Sequence, residues 1–351
     1  MRYRLLSLAL VALALAACAP RLAPGATPPV QAPTGTAPTG SAPAAPPAPS
    51  APPGPPKHLA VGEVARGASG WGRYVATEKG FFAAENVDAD VTYVGSGTTT
   101  VQQVVSGGLD VGTTDWATII LAVENGADLA GVGSSMLKYA FSMMSAPDVR
   151  TAADLRGKRA VTSFLKDPNN VFFERWLRTQ GVDPAEVDIS FDGASGNRYA
   201  ALTTGVVQAV ALSAPFDFRA ADEGYNRLVD FGTFAGDYAF VSIYARKPWL
   251  RDNGDAMRGF LRAYARGIDW LYDPANRAEA IDILMRSVDL DRALAERSYA
   301  YYVSELQPFS RNLAVPDAAL QAVLDTLVDT GDLTRPTPPV TKYLDRTYAP
   351  R

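Results

Sequence analysis

SGTTTVQQVVSGGLDVGTTDWATIILAVENG, residues 96–126, decides the fold class: two helical periodicities flank one short apolar run, and glycines punctuate the joins. Ser96-Gly97-Thr98-Thr99-Thr100 supplies a flexible turn with hydroxyl caps, after which Val101, Val104 and Val105 fall on one helical face. Gly107-Gly108 ends that helix, and Leu109 to Gly112 reads as a strand. Thr114 or Asp115 is the next cap, and Ile119, Ile120 and Val123 form the buried side of a helix stopping at Gly126. Strands alternating with helices in this way indicate an α/β domain with mainly parallel strands.

The same alternation extends in both directions. Leu59 to Val64 is a strand, a helix runs through Tyr74, Val75 and Glu78 to Gly80, and Val91 to Val94 is a second strand. Downstream, Ala160 to Phe164 is a strand, and Phe172, Phe173, Trp176 and Leu177 form the apolar face of a helix ending at Gly181. Tyr199, Leu202 and Val206 mark a helix near Gly205, and Ala209 to Leu212 a strand opening onto Ser213-Ala214-Pro215. A second lobe begins near Thr151, and Val241 to Arg246 is a strand placed to return the chain to the first. The last third is mostly helical, with Met257, Phe260, Leu261, Tyr264, Ile268 and Leu271 at i, i+3, i+4 spacing. Leu320, Val323, Leu324 and Leu327 repeat that spacing in a helix started at Pro316-Asp317 and stopped at Gly331. No 20 to 50 residue period points to a solenoid or propeller.

At 351 residues, 47% hydrophobic and 20% charged, the chain can support two cores. A net charge of -4, with cations scattered among acids, gives no basic face for nucleic acid. Arg2 and Arg4 precede the apolar run Leu5 to Ala16, which is too short to span a bilayer and reads as an export signal, residues 1–17. Leu15-Ala16-Ala17-Cys18 looks like a lipobox, so Cys18, the only cysteine, is expected to carry a lipid and to exclude internal disulfides. Residues 18–57 are rich in Pro, Ala, Gly, Ser and Thr and read as a disordered linker between the anchor and the folded part.

Several of these segments together resemble the ABC solute-binding proteins of the nitrate, sulfonate, taurine and thiamine-pyrimidine type. They are YVATEKGFF at 74–82 with Glu85 and DVTYV at 90–94, VVSGGLDVG at 104–112, DLRGKRAV at 154–161, and ALTTGVVQA at 201–209. The likeness runs from His58 to Arg351 in order and spacing. It implies an α/β, two-lobed, periplasmic-binding-protein-like fold of type 2, with two hinge strands and a ligand cleft between the lobes. Residues 58–150 plus 241–351 would form lobe 1, and 151–240 lobe 2. The resemblance further implies a monomer that closes around a small molecule and delivers it to a transmembrane permease fed by an ATPase. It would be held by its lipid at the outer face of the cell membrane or in the periplasm.

Ligands of open α/β sheets bind beyond the carboxyl ends of strands, where loops meet helix N-termini. The turns at those positions nominate Arg66, Ser96, Gly97, Thr98, Thr114, Asp115, Asn169, Asn197 and Ser213 as polar contacts. Trp71, Tyr74, Trp116, Phe164, Phe216 and Tyr238 are nominated as pocket walls, Trp116 and Trp71 foremost because both sit at strand-to-helix junctions. For each hydroxyl, helix capping is the competing role, for each aromatic, a place in the core, and for Arg66, simple solvation.

His58 is the only histidine, so the folded part lacks a Ser-His or Cys-His pair and a His/Cys metal cluster. Gly67, Gly70 and Gly72 lack the spacing and acidic partner of a dinucleotide fingerprint. The related pyrimidine-synthase enzymes carry an internal histidine and a cysteine-rich motif, and neither is present. The expectation is therefore a binding protein without cofactor or metal; a tethered sensor or scaffold of the same fold is the alternative, and an enzyme the third reading. A heteroaromatic ligand such as a pyrimidine or flavin precursor fits the aromatic turns better than nitrate, bicarbonate or an alkyl sulfonate, which stay open.

Overall fold

In a computed structural model, residues 54–350 form two five-stranded sheets flanked by helices. The expected signal segment, Cys18 and nearly all of the linker lie outside the described residues. The first sheet begins with β1 (Lys57–Glu63), α1 (Trp71–Glu78), α2 (Phe81–Ala84), β2 (Val87–Tyr93), α3 (Gly97–Ser106), β3 (Val111–Asp115), α4 (Trp116–Glu124) and β4 (Leu129–Met136). The chain then crosses to β5 (Phe141–Ser145), β6 (Arg159–Thr162), α5 (Pro168–Thr179), β7 (Asp188–Phe191), α6 (Ser195–Thr203), β8 (Ala209–Ser213), α7 (Phe216–Asp222), β9 (Asn226–Asp230) and α8 (Phe231–Phe234). It returns through β10 (Val241–Arg246) and ends in α9 (Lys247–Asp252), α10 (Gly254–Tyr272), α11 (Arg277–Val288), α12 (Arg292–Tyr299), the π-helical segment Ala300–Glu305 and α13 (Asp317–Asp329).

Strand order is β2-β1-β3-β10-β4 in the first sheet and β7-β6-β8-β5-β9 in the second. β1, β2 and β3 run parallel and β10 antiparallel to β3 and β4, while β5 runs antiparallel to β8 and β9 in an otherwise parallel second sheet. The direction of each strand determines which edges meet. Val241 pairs with Asp115 and Met136, and Phe141 with Ser213, so both crossings, 137–140 and 231–240, start and finish at carboxyl edges of parallel strands. The first crossing can span no more than about 18 Å. The two carboxyl edges are thereby held facing one another.

Two expectations shift. β5 pairs with β8 and β9, so the second sheet starts at Phe141, ahead of the boundary expected near Thr151. The reason is that an antiparallel strand of half-apolar residues, FSMMS, carries no break at its start. α13, expected with lobe 1, packs on both α4 and α5 and pairs Asp329 with Arg175 and Asp332, just beyond it, with Lys166 (2.7 Å).

Helix boundaries follow local chemistry. Ser96 accepts the Thr99 amide to cap α3, and Gly107 closes it in the left-handed region. Val101 and Val104 are buried, but Val105 points to solvent. α10 buries all six predicted apolar positions, packing on α1 and, through Phe260, on Phe82 of α2. The crossing of α10 over α1 needs glycine, since a Cβ on Gly267 would lie 2.1 Å from the Gly72 carbonyl oxygen. One apolar cluster joins the first sheet to α1 and α10–α12, a second runs from α4 through α13 to α5, and a third lies under α6 and α7.

Candidate ligand-binding site

On the first edge, Gly97 opens α3 directly against Thr114, whose hydroxyl would lie 2.3 Å from a Cβ added there. Asp115 caps α4 through the Thr118 amide (2.8 Å) and accepts the Thr118 hydroxyl (2.6 Å). Ser96, Gly97, Thr98, Thr114 and Asp115 therefore share one strip at the ends of β2 and β3. Beneath it, the Arg73 guanidinium is forked onto Glu63 (2.5 and 3.0 Å) and reaches the Tyr93 hydroxyl (2.8 Å), tying β1 to β2. Arg66 is exposed, with its guanidinium 4.9 Å from the Tyr93 ring centre. Tyr74 accepts the Gly67 amide (3.1 Å) and pins the loop that carries Arg66.

On the second edge, Asp167 caps α5 through the Asn169 and Asn170 amides and accepts the Ser163 hydroxyl (2.5 Å). Asn169 donates from Nδ2 to Ser163 Oγ (2.6 Å), while its Oδ1 is buried without a partner. Burial pushes the Asp167 carboxyl up to about 6, against the pull of its hydrogen bonds from Ser163, Asn170 and Asn169, and the field of Asp115 adds to the rise. Arg198, 1% exposed, donates to the carbonyls of Ala211 (2.6 Å) and Asp192 (2.5 Å) and to Ser195 Oγ (2.9 Å). Ser195 and Ser213 hydroxyls stand 3.4 Å apart. Phe164 is exposed over Gly193, Asn197 reaches Asp192, and Phe216 leans on Tyr199.

Three nominated aromatics lie in apolar cores. Trp71 is fully buried, its indole N–H bonded to the Ala280 carbonyl (3.0 Å) and its ring edge-on to Tyr299. Trp116 fills the space above Gly131, whose added Cβ would meet the ring at 2.3 Å. Tyr238 is buried edge-on to Phe172 and Tyr139. Trp71 and Trp116 each open a helix and turn back into the core, whereas Tyr238 lies on the crossing between α8 and β10.

The rings between the two edges come from the crossings. Tyr139, 3% exposed in the same apolar cluster as Tyr238, stacks on Phe141 (4.8 Å), meets Phe240 edge-on (4.6 Å) and touches Phe172 and Tyr238 with its remaining edges. Phe141 is paired with Ser213, and Phe240, whose carbonyl accepts the Trp116 amide, stands beside Asp115. Burial drives the Tyr139 hydroxyl well above its ordinary range, and Asp167 and Asp115 push the same way against Arg198, so groups from both lobes act on one phenol. None of these three was nominated from sequence; KYAF at 138–141 sits at a crossing that periodicity does not mark. Among the described residues, no hydrogen bond joins turns 66–71, 96–100 or 113–116 to turns 163–170, 195–197 or 213–216.

The lobes do touch beside this space. Arg297 of α12 bonds Asp222 and the Phe218 carbonyl (3.2 Å), Tyr301 donates to Asp230 (2.5 Å), and Phe218 from α7 is buried in the first lobe's cluster. Surface cavities of about 340 and 290 Å³ lie elsewhere, at Thr341–Arg346 and at the α9–α10 junction. Among the described residues no acidic, His or Cys group is arranged to hold a metal, and no helix is long and apolar enough to cross a membrane.

Two α/β lobes with apposed carboxyl edges define a solute-binding protein fold of the periplasmic type. The chain belongs to the NMT1/THI5-like family, whose profile matches residues 70–278, more than half its length. It is 25% identical over 227 residues to the formylaminopyrimidine-binding protein of Halalkalibacterium halodurans, covering 62% of this chain and 66% of that one, a little under two thirds. Its fold matches the periplasmic aliphatic sulphonate binding protein SsuA from Escherichia coli with a TM-score of 0.67 at 20% identity, over 84% of this chain and 99% of that one. The periplasmic nitrate-binding protein NrtA from Synechocystis PCC 6803 matches with a TM-score of 0.66 at 18% identity, over 82% and 84%.

Proposed function

We propose that the chain is the extracytoplasmic substrate-binding component of an ABC import system, capturing a small flat organic molecule between its lobes and delivering it to a permease. The observation that carries this reading is the cluster of Tyr139, Phe141 and Phe240 between two facing carboxyl edges. A ligand can favour closure only by binding the closed state more tightly than the open one, which requires contacts from both lobes. The Ser96–Asp115 strip and the Ser163–Ser213 strip supply them. Aromatic rings beside buried polar groups suit a heteroaromatic ring better than a small inorganic anion. Formylaminopyrimidine, bound by the curated relative, is one such candidate and a flavin precursor another; the sulphonate and nitrate of the structural neighbours are the competitors. The working form is a non-catalytic monomer, tethered through an acylated Cys18 and the linker at 18–57, with residues from about 141 to 230 as the second lobe.

A thermal-shift screen with formylaminopyrimidine, an alkanesulfonate and nitrate tests this. A ligand at a hundred times its Kd stabilises by about 2.7 kcal/mol, a rise of several degrees in a chain of this size. If none raises Tm and mass spectrometry of the purified protein finds no small molecule, the binding reading fails. Cys18→Ala is expected to abolish incorporation of a labelled fatty acid.

A further inference from the structure

The polar groups at the second lobe's edge are sorted by hydrogen-bonding sense. At one end, the α5 N-terminus, Asn169 is 1% exposed and its Oδ1 has no partner, although Nδ2 is engaged by Ser163. Asp167, already accepting the Ser163 hydroxyl and the Asn169 and Asn170 amides, adds the remaining lone pairs of a carboxylate beside it, so the acceptor that lacks a donor at this end is the Asn169 oxygen. At the other end, Arg198 is 1% exposed and bonded to two carbonyls and a hydroxyl, with no carboxylate in hydrogen-bond contact among the described residues. A buried guanidinium without a counter-ion is costly, and an oxygen from a ligand supplies what the protein does not. Ser195 and Ser213 hydroxyls converge beside it, and α6 begins there without a side-chain cap. Tyr139 stands beside these groups, stacked on Phe141, whose backbone pairs with Ser213.

We infer that the cleft selects a flat ligand of split polarity: a hydrogen-bond-donor edge, such as a ring amino group, against Asp167 and Asn169, and an acceptor oxygen against Arg198, Ser195 and Ser213, with the ring on Tyr139. This rests on the heteroaromatic reading above and assigns its two ends. A bare oxyanion satisfies the Arg198 end, but it leaves the Asn169 oxygen orphaned and meets the Asp167 carboxylate. Sulfonate and nitrate are disfavoured on that ground.

The test is isothermal titration of the full chain with three probes: formylaminopyrimidine, its analogue without the ring amino group, and its analogue without the formyl oxygen. Each deletion is expected to weaken binding about tenfold or more. Asn169→Leu should weaken formylaminopyrimidine to a similar degree and leave the desamino analogue unchanged, whereas Ser213→Ala should be coupled only to the formyl oxygen. Asp167→Asn replaces the first variant if that one does not fold. If a variant weakens all three probes equally, the assignment of ends is wrong while the heteroaromatic reading stands. Should none of the three bind while an alkanesulfonate does, both fall.

Discussion

Replacing Trp116 by alanine empties the space above Gly131 and should cost about 3–5 kcal/mol of stability in urea titrations, with any loss of ligand affinity following from that damage. Tyr139 is 3% exposed in the same apolar cluster, so Tyr139→Ala should also cost stability, and beyond that cost it should weaken ligand binding of the folded variant about tenfold or more, read by calorimetry, because its ring stands between the two edges. Asp217 allows a pH prediction. It is 2% exposed, bonded to Arg227 (3.0 Å) and within reach of Asp230 and Arg297, and burial pushes its carboxyl from 3.8 up to about 6. A raised carboxyl favours the protonated folded state, so the contribution is complete below about pH 4 and is lost as pH climbs through about 6. Over that window it amounts to at most about 3 kcal/mol, and Asp217→Asn should flatten the dependence of the urea midpoint on pH between 4 and 7. An unchanged slope would mean that Asp217 titrates as a solvated acid.

At the scale of elements, the contact of α1 with α10 depends on two glycines meeting backbone to side-chain position. Gly267→Ala forces a methyl into the Gly72 carbonyl, and a loss of about 1–3 kcal/mol or more is expected in thermal melts, despite alanine's better helix propensity. Elements with a clear period were readable in advance: α10 shows its stripe, Ser96 and Asp115 act as caps, and β10 occupies the predicted positions. β4 was missed because LAGVGSSM is buried at every position, so nothing alternates, and its glycines accommodate Trp116 and Leu313 from neighbouring elements. β7 and β9 were missed because DISF is only four residues long and NRLVD is polar at both ends. The candidate turns were legible, since turn positions follow from element order. The directions of their side chains were not, because whether Trp116 looks into a cleft or back under α4 depends on Gly131, which is remote in sequence.

The whole molecule is held by contacts from lobe to lobe as well as by its two crossings. Tyr301 and Arg297 reach from the first lobe to Asp230 and Asp222 of the second. If these bonds form only on closure, Tyr301→Phe should shift the population toward the open form and raise the apparent Kd by about tenfold, with a larger radius of gyration in solution scattering without ligand. An unaltered Kd and radius would instead mark this contact as a fixed joint between the lobes, with Phe218 seated in the first lobe's cluster. The order β2-β1-β3-β10-β4 has a consequence for how the chain is made. β3 and β4 do not adjoin, and the gap between them waits for a strand that ends at Arg246. During synthesis, therefore, two raw hydrogen-bonding edges stay open while the whole inserted lobe is still being produced, and that lobe can close on itself first. The older half of the polypeptide is the later half to mature, and any holding chaperone has its best target in those unsealed edges.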